Sequence, residues 1–346
     1  MTLRAERCDP AEVREAWSAL AAASGNVFAT PELAEIWWQH FGRDRSSLLL
    51  SARNEGGELL GLLPLFRERR RGVRVLRFVG AGPADELGPV CSPEVRAEVL
   101  ASLRVALGRE RHDVFLGEQL GADAELLLGG RRLSQEGSPV ARAPEGGWEE
   151  WLSARSRNFR EQVRRRERRL FGQQDAGFRA GRTERLDAEL DVLFALHRAG
   201  RPHGSSFLAA EPFHRAFAHA AAARGWLRLW FLEVDGEPRA AWQGFRFGGV
   251  ESYYQAGRDP DWDHASVGFV LLAHTIREAF GEGIAEYRLL RGGESYKYRF
   301  ADGDPGLVTI GRGATPVGVA ALAGARAARR LRRLLAPDPR SDRRGP

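Results

Sequence analysis

Lysine is almost missing from this chain. Of its 52 Lys and Arg residues only Lys297 is a lysine. Cysteine is nearly as scarce: Cys8 and Cys91 make neither a disulfide framework nor a metal-ligand spacing, so a reducing, cytoplasmic setting is expected. No run of about 18 apolar residues occurs, which excludes a membrane-spanning helix. The first ten residues are charged and lack the apolar centre of a secretory signal. His197, His203, His214 and His219 form no zinc-like set, so no metal is expected. Tyrosine occurs five times, at 253, 254, 287, 296 and 298, all near the single lysine. An ammonium is a compact, titratable point charge, whereas a guanidinium is a fixed planar fork. Scarcity of both residue types elsewhere marks residues 253–298 as the place where their chemistry is used.

What the chain does contain is arginine, unevenly placed. The formal net charge is +6. Residues 155–169 alone carry +6 and residues 312–346 carry +7, so the remainder is −7. Local basicity of this kind suits particular anionic contacts and argues against a broad nucleic-acid surface, so no DNA partner is expected. A length of 346 residues with 43% hydrophobic content suits two globular units.

Hydrophobic periodicity divides the chain into two similar halves. In the first, helices are expected over 10–23 and 31–40, strands over 47–52, 59–66 and 73–78, a helix over 93–107 and a strand over 112–116. Thr30-Pro31 reads as a helix cap followed by proline at the first helical position. In the second, helices over 149–171, 187–199 and 212–224 precede strands 227–234, 239–247 and 250–257. The turns Asp235-Gly236 and Gly248-Gly249 join these strands. A helix over 266–280 and a strand over 284–290 complete the half. The Pro- and Gly-rich stretch 138–147 is the expected boundary. This gives an α/β (α+β mixed) chain of two units, 1–143 and 144–312, with a basic tail at 313–346. The tail helix over 315–335 has an apolar face and is a candidate for peripheral membrane contact.

The chemistry is expected where strand 250–257 runs into helix 266–280. A helix N-terminus offers unpaired N–H donors and a positive dipole end, which suit phosphate. Ser266, Val267, Gly268 and Phe269 open that helix, and Gly268 allows close backbone approach. In the Arg-rich helix, Arg160, Arg164 and Arg165 are candidates to meet an anionic acceptor or carrier.

The segments Val234-Asp235-Gly236-Glu237-Pro238, Tyr253-Tyr254-Gln255-Ala256-Gly257, Ser266-Val267-Gly268 and Leu290-Arg291-Gly292-Gly293-Glu294-Ser295-Tyr296-Lys297 occur in order. With Trp37-Trp38-Gln39-His40-Phe41 and Asp85-Glu86-Leu87-Gly88-Pro89 in the first half, they resemble the bacterial acetyltransferase-like family of the CelD cellulose-biosynthesis proteins. That family is also called the BioF2-like domain. It belongs to the GNAT superfamily and is similar to the FemAB transferases, which carry two GNAT-like units. The resemblance covers most of residues 20–310. It implies a tandem GNAT-like acyl-CoA N-acyltransferase fold. This chain departs from the family in having Val267, Arg288 and Gly293 where proline, aspartate and an acidic residue are common.

For acyl transfer, Ser266, Val267, Gly268 and Phe269 would hold the pyrophosphate of acyl-CoA, with Gln255 and Gly257 supplying backbone donors to the oxyanion. Glu294 or His264 is the expected base, Tyr254 or Tyr296 the proton source, and Lys297 and Arg291 would meet the acceptor. The expected reaction moves an acyl group from acyl-CoA or another pantetheine thioester, acyl carrier protein included. The acceptor is an amine or hydroxyl on a sugar, amino acid or envelope-polysaccharide precursor. The alternatives are a FemAB-type aminoacyl-tRNA transferase and a non-catalytic scaffold for polysaccharide synthesis.

Overall fold

The structure is a computed structural model that describes residues 2–201 and 203–335, with side chains described to residue 325. The last eleven residues of the expected basic tail lie outside the described residues. The chain begins with β1 (Arg4–Arg7), α1 (Pro10–Ser24), α2 (Pro31–Phe41), β2 (Ser46–Arg53), β3 (Leu59–Arg70) and β4 (Val73–Phe78). It continues with β5 (Val90–Cys91), α3 (Arg96–Arg109), β6 (Val114–Gly121), α4 (Ala124–Leu127) and β7 (Arg131–Glu136). A second run follows: β8 (Val140–Arg142), α5 (Gly147–Ser153), α6 (Arg157–Gln173), β9 (Ala176–Ala180), α7 (Leu186–Ala199), α8 (Ser206–Ala209) and α9 (Glu211–Ala223). Then come β10 (Leu227–Val234), β11 (Glu237–Phe247), β12 (Val250–Arg258), α10 (Val267–Gly281), β13 (Glu286–Arg288) and α11 (Ser295–Tyr298). The described chain ends with β14 (Leu307–Gly313) and α12 (Pro316–Leu335).

Local signals account for most of these boundaries. The Thr30 hydroxyl accepts from the Leu33 N–H and Pro31 opens α2, as the sequence indicates. Asp235 and Gly236 both take left-handed backbone, with φ of 53° and 78°, which matches the twist of a two-residue hairpin. The helix expected over 149–171 is two helices, because Ser156 leaves helical geometry and its hydroxyl caps α6 at Phe159. The strand expected over 284–290 is only three residues long. Leu290 is left-handed (φ 54°) and turns the chain away from the sheet.

Two sheets result. The first has the order β1-β2-β3-β4-β6-β14-β7, with β5 added on β3, and the second β8-β13-β12-β11-β10-β9. In each, a meander leads into one parallel pair crossed by a helix: β4 with β6 past α3, and β12 with β13 past α10. The two ends of the chain do not divide as the sequence suggests. Strand β14, expected at the end of the second unit, pairs between β6 and β7 in the first sheet. Strand β8, expected in the first unit, pairs with β13 in the second. The stretch 138–147 is therefore no open linker. The Ser138 N–H donates to Asp304 at 2.8 Å, the Val140 N–H to the Gly303 carbonyl at 2.9 Å and the Leu289 N–H to the Pro139 carbonyl at 2.9 Å.

The second sheet is packed on both faces. Trp148, Trp151, Phe159, Val163 and the apolar side of α10 fill one face. On the other, Leu190, Phe194, Phe213 and Phe217 from α7 and α9 merge with the core of the first unit, including Phe28 and Leu33. The two units share that core, and their junction is a packed interior. Helix α7 lies against β12 so closely that a Cβ on Gly257 would sit 2.3 Å from the His197 backbone nitrogen. Gly257→Ala is expected to push α7 off the sheet and cost about 1–3 kcal/mol. Gly268→Ala, whose Cβ meets only Arg258 Cδ at 3.5 Å, should be near neutral. Thermal denaturation of the two variants side by side checks both.

Candidate active site

The site starts from a separation of two strands. β12 and β13 pair only over Val250–Ser252 against Glu286–Arg288. β13 then stops, while β12 continues to Arg258. On its other side β12 carries a bulge: Gln243 lies opposite Gln255 and Gly244 opposite Tyr253, so Tyr254 is an extra residue. Tyr253 stacks near Trp242 on the α10 side, and Tyr254 packs with Phe28 and Phe245 on the other. Past Ser252 the edge of β12 that faced β13 has no ladder partner, and its N–H groups face the gap.

On the α10 side lies a cavity of about 390 Å³. Gly257, Ser266, Gly268 and Phe269 line it, with Arg166 from α6 and Arg299 after α11. Ser266 opens α10 with left-handed backbone (φ 59°), and its hydroxyl makes no capping bond. The N–H groups of Val267, Gly268 and Phe269 thus have no intrahelical acceptor and stand at the positive end of the α10 dipole. Only the backbone of Val267 is available, since its side chain is buried in the second core. The Arg166 and Arg299 guanidinium groups sit over the same Phe269 ring, at 4.4 and 5.2 Å. Burial and the neighbouring Arg299 and Arg165 charges push the Arg166 pKa down. Arg258 is paired with Asp263 at the rim.

A second cavity of about 290 Å³ lies between the two units. Asp85 and Glu136 come to it from the first unit, and Gln255, Arg291, Glu294 and Lys297 from the second. Asp85 is 7% exposed. Burial pushes its pKa up to about 6, against the opposing pull of Arg291 and Lys297. Arg291 Nε lies 3.6 Å from Asp85 and 3.8 Å from Glu136. With its amide turned to satisfy both neighbours, Gln119 accepts from Arg291 and donates to the Ala84 carbonyl at 2.9 Å. Six described non-glycine residues have positive φ, and Gln119, Ser266 and Leu290 are three of them. Of the six, only Gln119, in β6, and Leu290, after β13, lie outside turns, and both adjoin Arg291 at this site.

The two cavities share a wall made of Tyr253, Tyr296, Ala256, His197 and Arg201. The Tyr253 and Tyr296 hydroxyls are 3.2 Å apart. Burial raises both phenol pKa values, so both are protonated at neutral pH and able to donate. His197 is pushed down to about 4 by burial and is neutral. It bonds the Ala256 carbonyl through Nδ1 at 2.8 Å and Ser205 Oγ through Nε2 at 2.9 Å, holding β12 in place.

The expected site residues separate into several groups. Ser266, Gly268, Phe269 and Gly257 come together at the first cavity, and Gln255, expected with them, lies at the second. Tyr296 is on the shared wall. Tyr254 is not a free proton source: its hydroxyl donates to the Pro83 carbonyl at 2.7 Å, with His214 at 3.2 Å, and anchors the loop bearing Asp85. Lys297 is not at an open sheet edge. It is 5% exposed, its ammonium donates to the Arg291 carbonyl at 2.6 Å, and Glu294 lies 3.2 Å away. It closes the 291–297 loop on itself. Arg160 holds the Ser153 and Arg155 carbonyls, and Arg164 and Arg165 are exposed and line neither cavity. His264 bonds only the Asp261 carbonyl and is also outside both. Arg288, standing where the family has aspartate, reaches the Ser24 and Gly25 carbonyls and Glu86 and joins the units. Sequence reasoning missed Asp85, Tyr253 and Arg166. Asp85 stands in the Asp-Glu-Leu-Gly-Pro segment that carries the first-half resemblance, a signal available without the structure.

Residues 157–298 match the family model described as the acetyltransferase (GNAT) domain. Among curated proteins, none matches this chain. Similar solved structures span both units. The C-terminal domain of a putative lysylphosphatidylglycerol synthetase from Agrobacterium fabrum is 13% identical, with 92% of this chain and 96% of that chain covered and a TM-score of 0.57. FemX is 10% identical, with 84% and 89% covered and a TM-score of 0.60. L-PGS from Bacillus licheniformis is 13% identical, with 93% and 97% covered and a TM-score of 0.55. At these identities the likeness is one of fold. The chain folds as two similar α/β units, and the second carries the match to the acetyltransferase (GNAT) domain.

Two expectations follow from this geometry. The folded pKa of Asp85, about 6, lies above its ordinary 3.8, so the folded state holds that proton longer. Stability is therefore lost as pH rises from about 4 to about 6, by on the order of 3 kcal/mol. Asp85→Asn should melt higher than the wild type at neutral pH, and the advantage should vanish near pH 4 in a pH series of melting curves. Lys297→Met should free the Arg291 carbonyl and loosen the loop, and Lys297→Arg should not restore it, because the longer fork does not fit a buried point-charge site. Both should lower kcat/KM by more than about tenfold, or ~1.4 kcal/mol, in steady-state kinetics.

Proposed function

We propose that this tandem GNAT-like acyltransferase moves an acyl group from a pantetheine thioester, acyl-CoA in the simplest case, to an amine or hydroxyl acceptor. The observation that carries the reading is the gap between β12 and β13, with one cavity on each side and two phenols between them. The donor's phosphates would meet the N–H groups of Val267, Gly268 and Phe269, with Arg166 and Arg299 alongside. Its pantetheine arm would pair with the free edge of β12 as a missing strand would. The acceptor would enter from the side of Asp85.

In this reading Asp85 takes the proton of the acceptor as its nitrogen or oxygen attacks the thioester carbonyl. With a pKa of about 6 it is ionised at neutral pH yet still basic enough to help. The oxyanion meets a β12 N–H beyond Ser252. When the carbon–sulfur bond breaks, the thiolate takes a proton from Tyr253 or Tyr296. An acid at position 288 is not needed, because Asp85 supplies one from the other unit. The activity should therefore rise with pH through about 6 and be lost in Asp85→Asn, although that variant folds more stably.

The motifs in the two halves support the narrower placement beside the CelD-type family, and the acceptor class we favour is a sugar, amino acid or envelope precursor. A second reading, an aminoacyl ester on tRNA as donor, has support from the fold shared with FemX and with lysylphosphatidylglycerol synthetase. A thermal shift separates the two. Acetyl-CoA or longer acyl-CoAs at saturating concentration should raise the melting temperature by about 5 °C. Gly268→Asp should abolish the shift while leaving the fold intact, since the site has room and an acidic residue suits a helix start. No shift with any pantetheine thioester would overturn the reading.

A further inference from the structure

Helix α6 carries a row of positive charge that its own fold does not neutralise. It has two carboxylates, and both are engaged: Glu161 with Arg157 and Glu167 with Arg277 on α10, each at 2.8 Å. Among the described residues, no carboxylate lies within 4.0 Å of Arg164, Arg165, Arg166, Arg168 or Arg169. Helical geometry sorts these further. Phe159, Val163 and Leu170 are buried and fix the inner face. Arg166 sits beside that face and lines the first cavity. Arg165 and Arg169, four apart, form an exposed row directly next to it. Arg299, which hydrogen-bonds Gln162 on the same side of α6, extends the row to the cavity mouth. Four guanidinium groups, Arg165, Arg166, Arg169 and Arg299, thus run from the solvent face of α6 to the place where donor phosphates would sit.

Like charges held together repel, so such a row is retained at a cost unless an anion meets it. The cavity of about 390 Å³ lies toward the small end of ligand sites, roughly 300–1,000 Å³, and suits an arm more than a bulky carrier. Whatever bears the arm must rest outside, on α6. We propose that the physiological donor is the thioester of an acidic carrier protein, and that Arg165 and Arg169 are its docking surface; the proposal rests on the pantetheine reading above. The row covers little more than one helical turn, the footprint of a single acidic helix. RNA fits less well. The exposed side of α6 offers no aromatic interleaving for bases, its one exposed ring, Phe171, being packed on Phe178 at 5.2 Å. Outside residues 155–169 and 312–346 the chain carries −7, which would repel a polyanion extending beyond the row.

The test is equilibrium binding of the whole protein to a fluorescently labelled holo-acyl carrier protein bearing a non-hydrolysable acyl arm, with acyl-CoA and a short acyl-pantetheine as the small probes. The carrier protein should bind at least about tenfold tighter than acyl-pantetheine at low salt, and lose most of that advantage by roughly 0.5 M salt. Arg165→Glu with Arg169→Glu should weaken the carrier protein at least about tenfold, leaving acyl-pantetheine binding and the melting temperature unchanged. Several results would overturn the proposal. One is equal weakening of carrier protein and acyl-pantetheine, and another is no weakening of either. Binding of acyl-CoA but not of acyl carrier protein sinks the docking surface and spares the pantetheine site. Binding of none of the three probes, with tight binding of a labelled tRNA hairpin, sinks both.

Discussion

Three residue pairs hold β12 to β13, and the candidate site opens where a fourth would stand. Leu290 turns the chain out of the sheet, and the extra residue Tyr254 twists β12 away from its neighbour. What remains is a strand edge inside a folded protein, flanked by a helix start on one side and by the other unit on the other. An unpaired edge in an interior is ordinarily a liability, since backbone groups without partners cost free energy. Here it is accessible from two cavities, so water or substrate can satisfy it.

The division of labour between the units follows from the same constraint. The second unit supplies the gap, the helix start and the phenols, and the first supplies the buried acid. Burial of Asp85 is opposed by Arg291, which reaches across the junction from the residue after the left-handed Leu290, and by Lys297. Tyr254, on the far side of the bulge, fastens the Asp85 loop through the Pro83 carbonyl. One irregularity in β12 thus opens the gap and sets the distance to the acid. That the acid is destabilised by burial, and tolerated, is what a functional position looks like energetically.

The sequence made local structure legible where local chemistry decides it. The Thr30-Pro31 helix start, the Asp235-Gly236 and Gly248-Gly249 turns and the meander they join all stand as read. The helix over 266–280 stands as α10, its start marked by a left-handed Ser266 without a hydroxyl cap. What the sequence did not disclose is set by distant contacts. Strands β1, β7, β8, β9 and β14 are short, exposed or borrowed by the other sheet, and periodicity says little about such segments. Composition singles out Lys297, but that it ties the 291–297 loop internally, where a substrate contact was expected, depends on how that loop closes. Asp85 and Tyr253 stand in the motifs that carry the resemblance, but only the fold shows that Asp85 is buried beside Arg291 and that the Tyr253 hydroxyl meets Tyr296. The arginines of α6 were read as one group, and the helix separates them into carbonyl braces, a cavity wall and an exposed row.

Strand β14 carries a consequence for how this protein comes into being. It is the last strand among the described residues, and it lies between β6 and β7, with Leu307 paired to Glu136. The whole second unit is therefore spun out between two positions that end up side by side. During synthesis the first sheet must wait, incomplete between β6 and β7, until about 170 further residues have left the ribosome. Closing so long a loop costs little more than closing a short one if the intervening chain has already folded into a compact body. Geometry sets one constraint: β14 can take its place between β6 and β7 only after the second unit has been made. Until β14 arrives, the facing edges of β6 and β7 stand unpaired and open to pairing with a neighbouring chain.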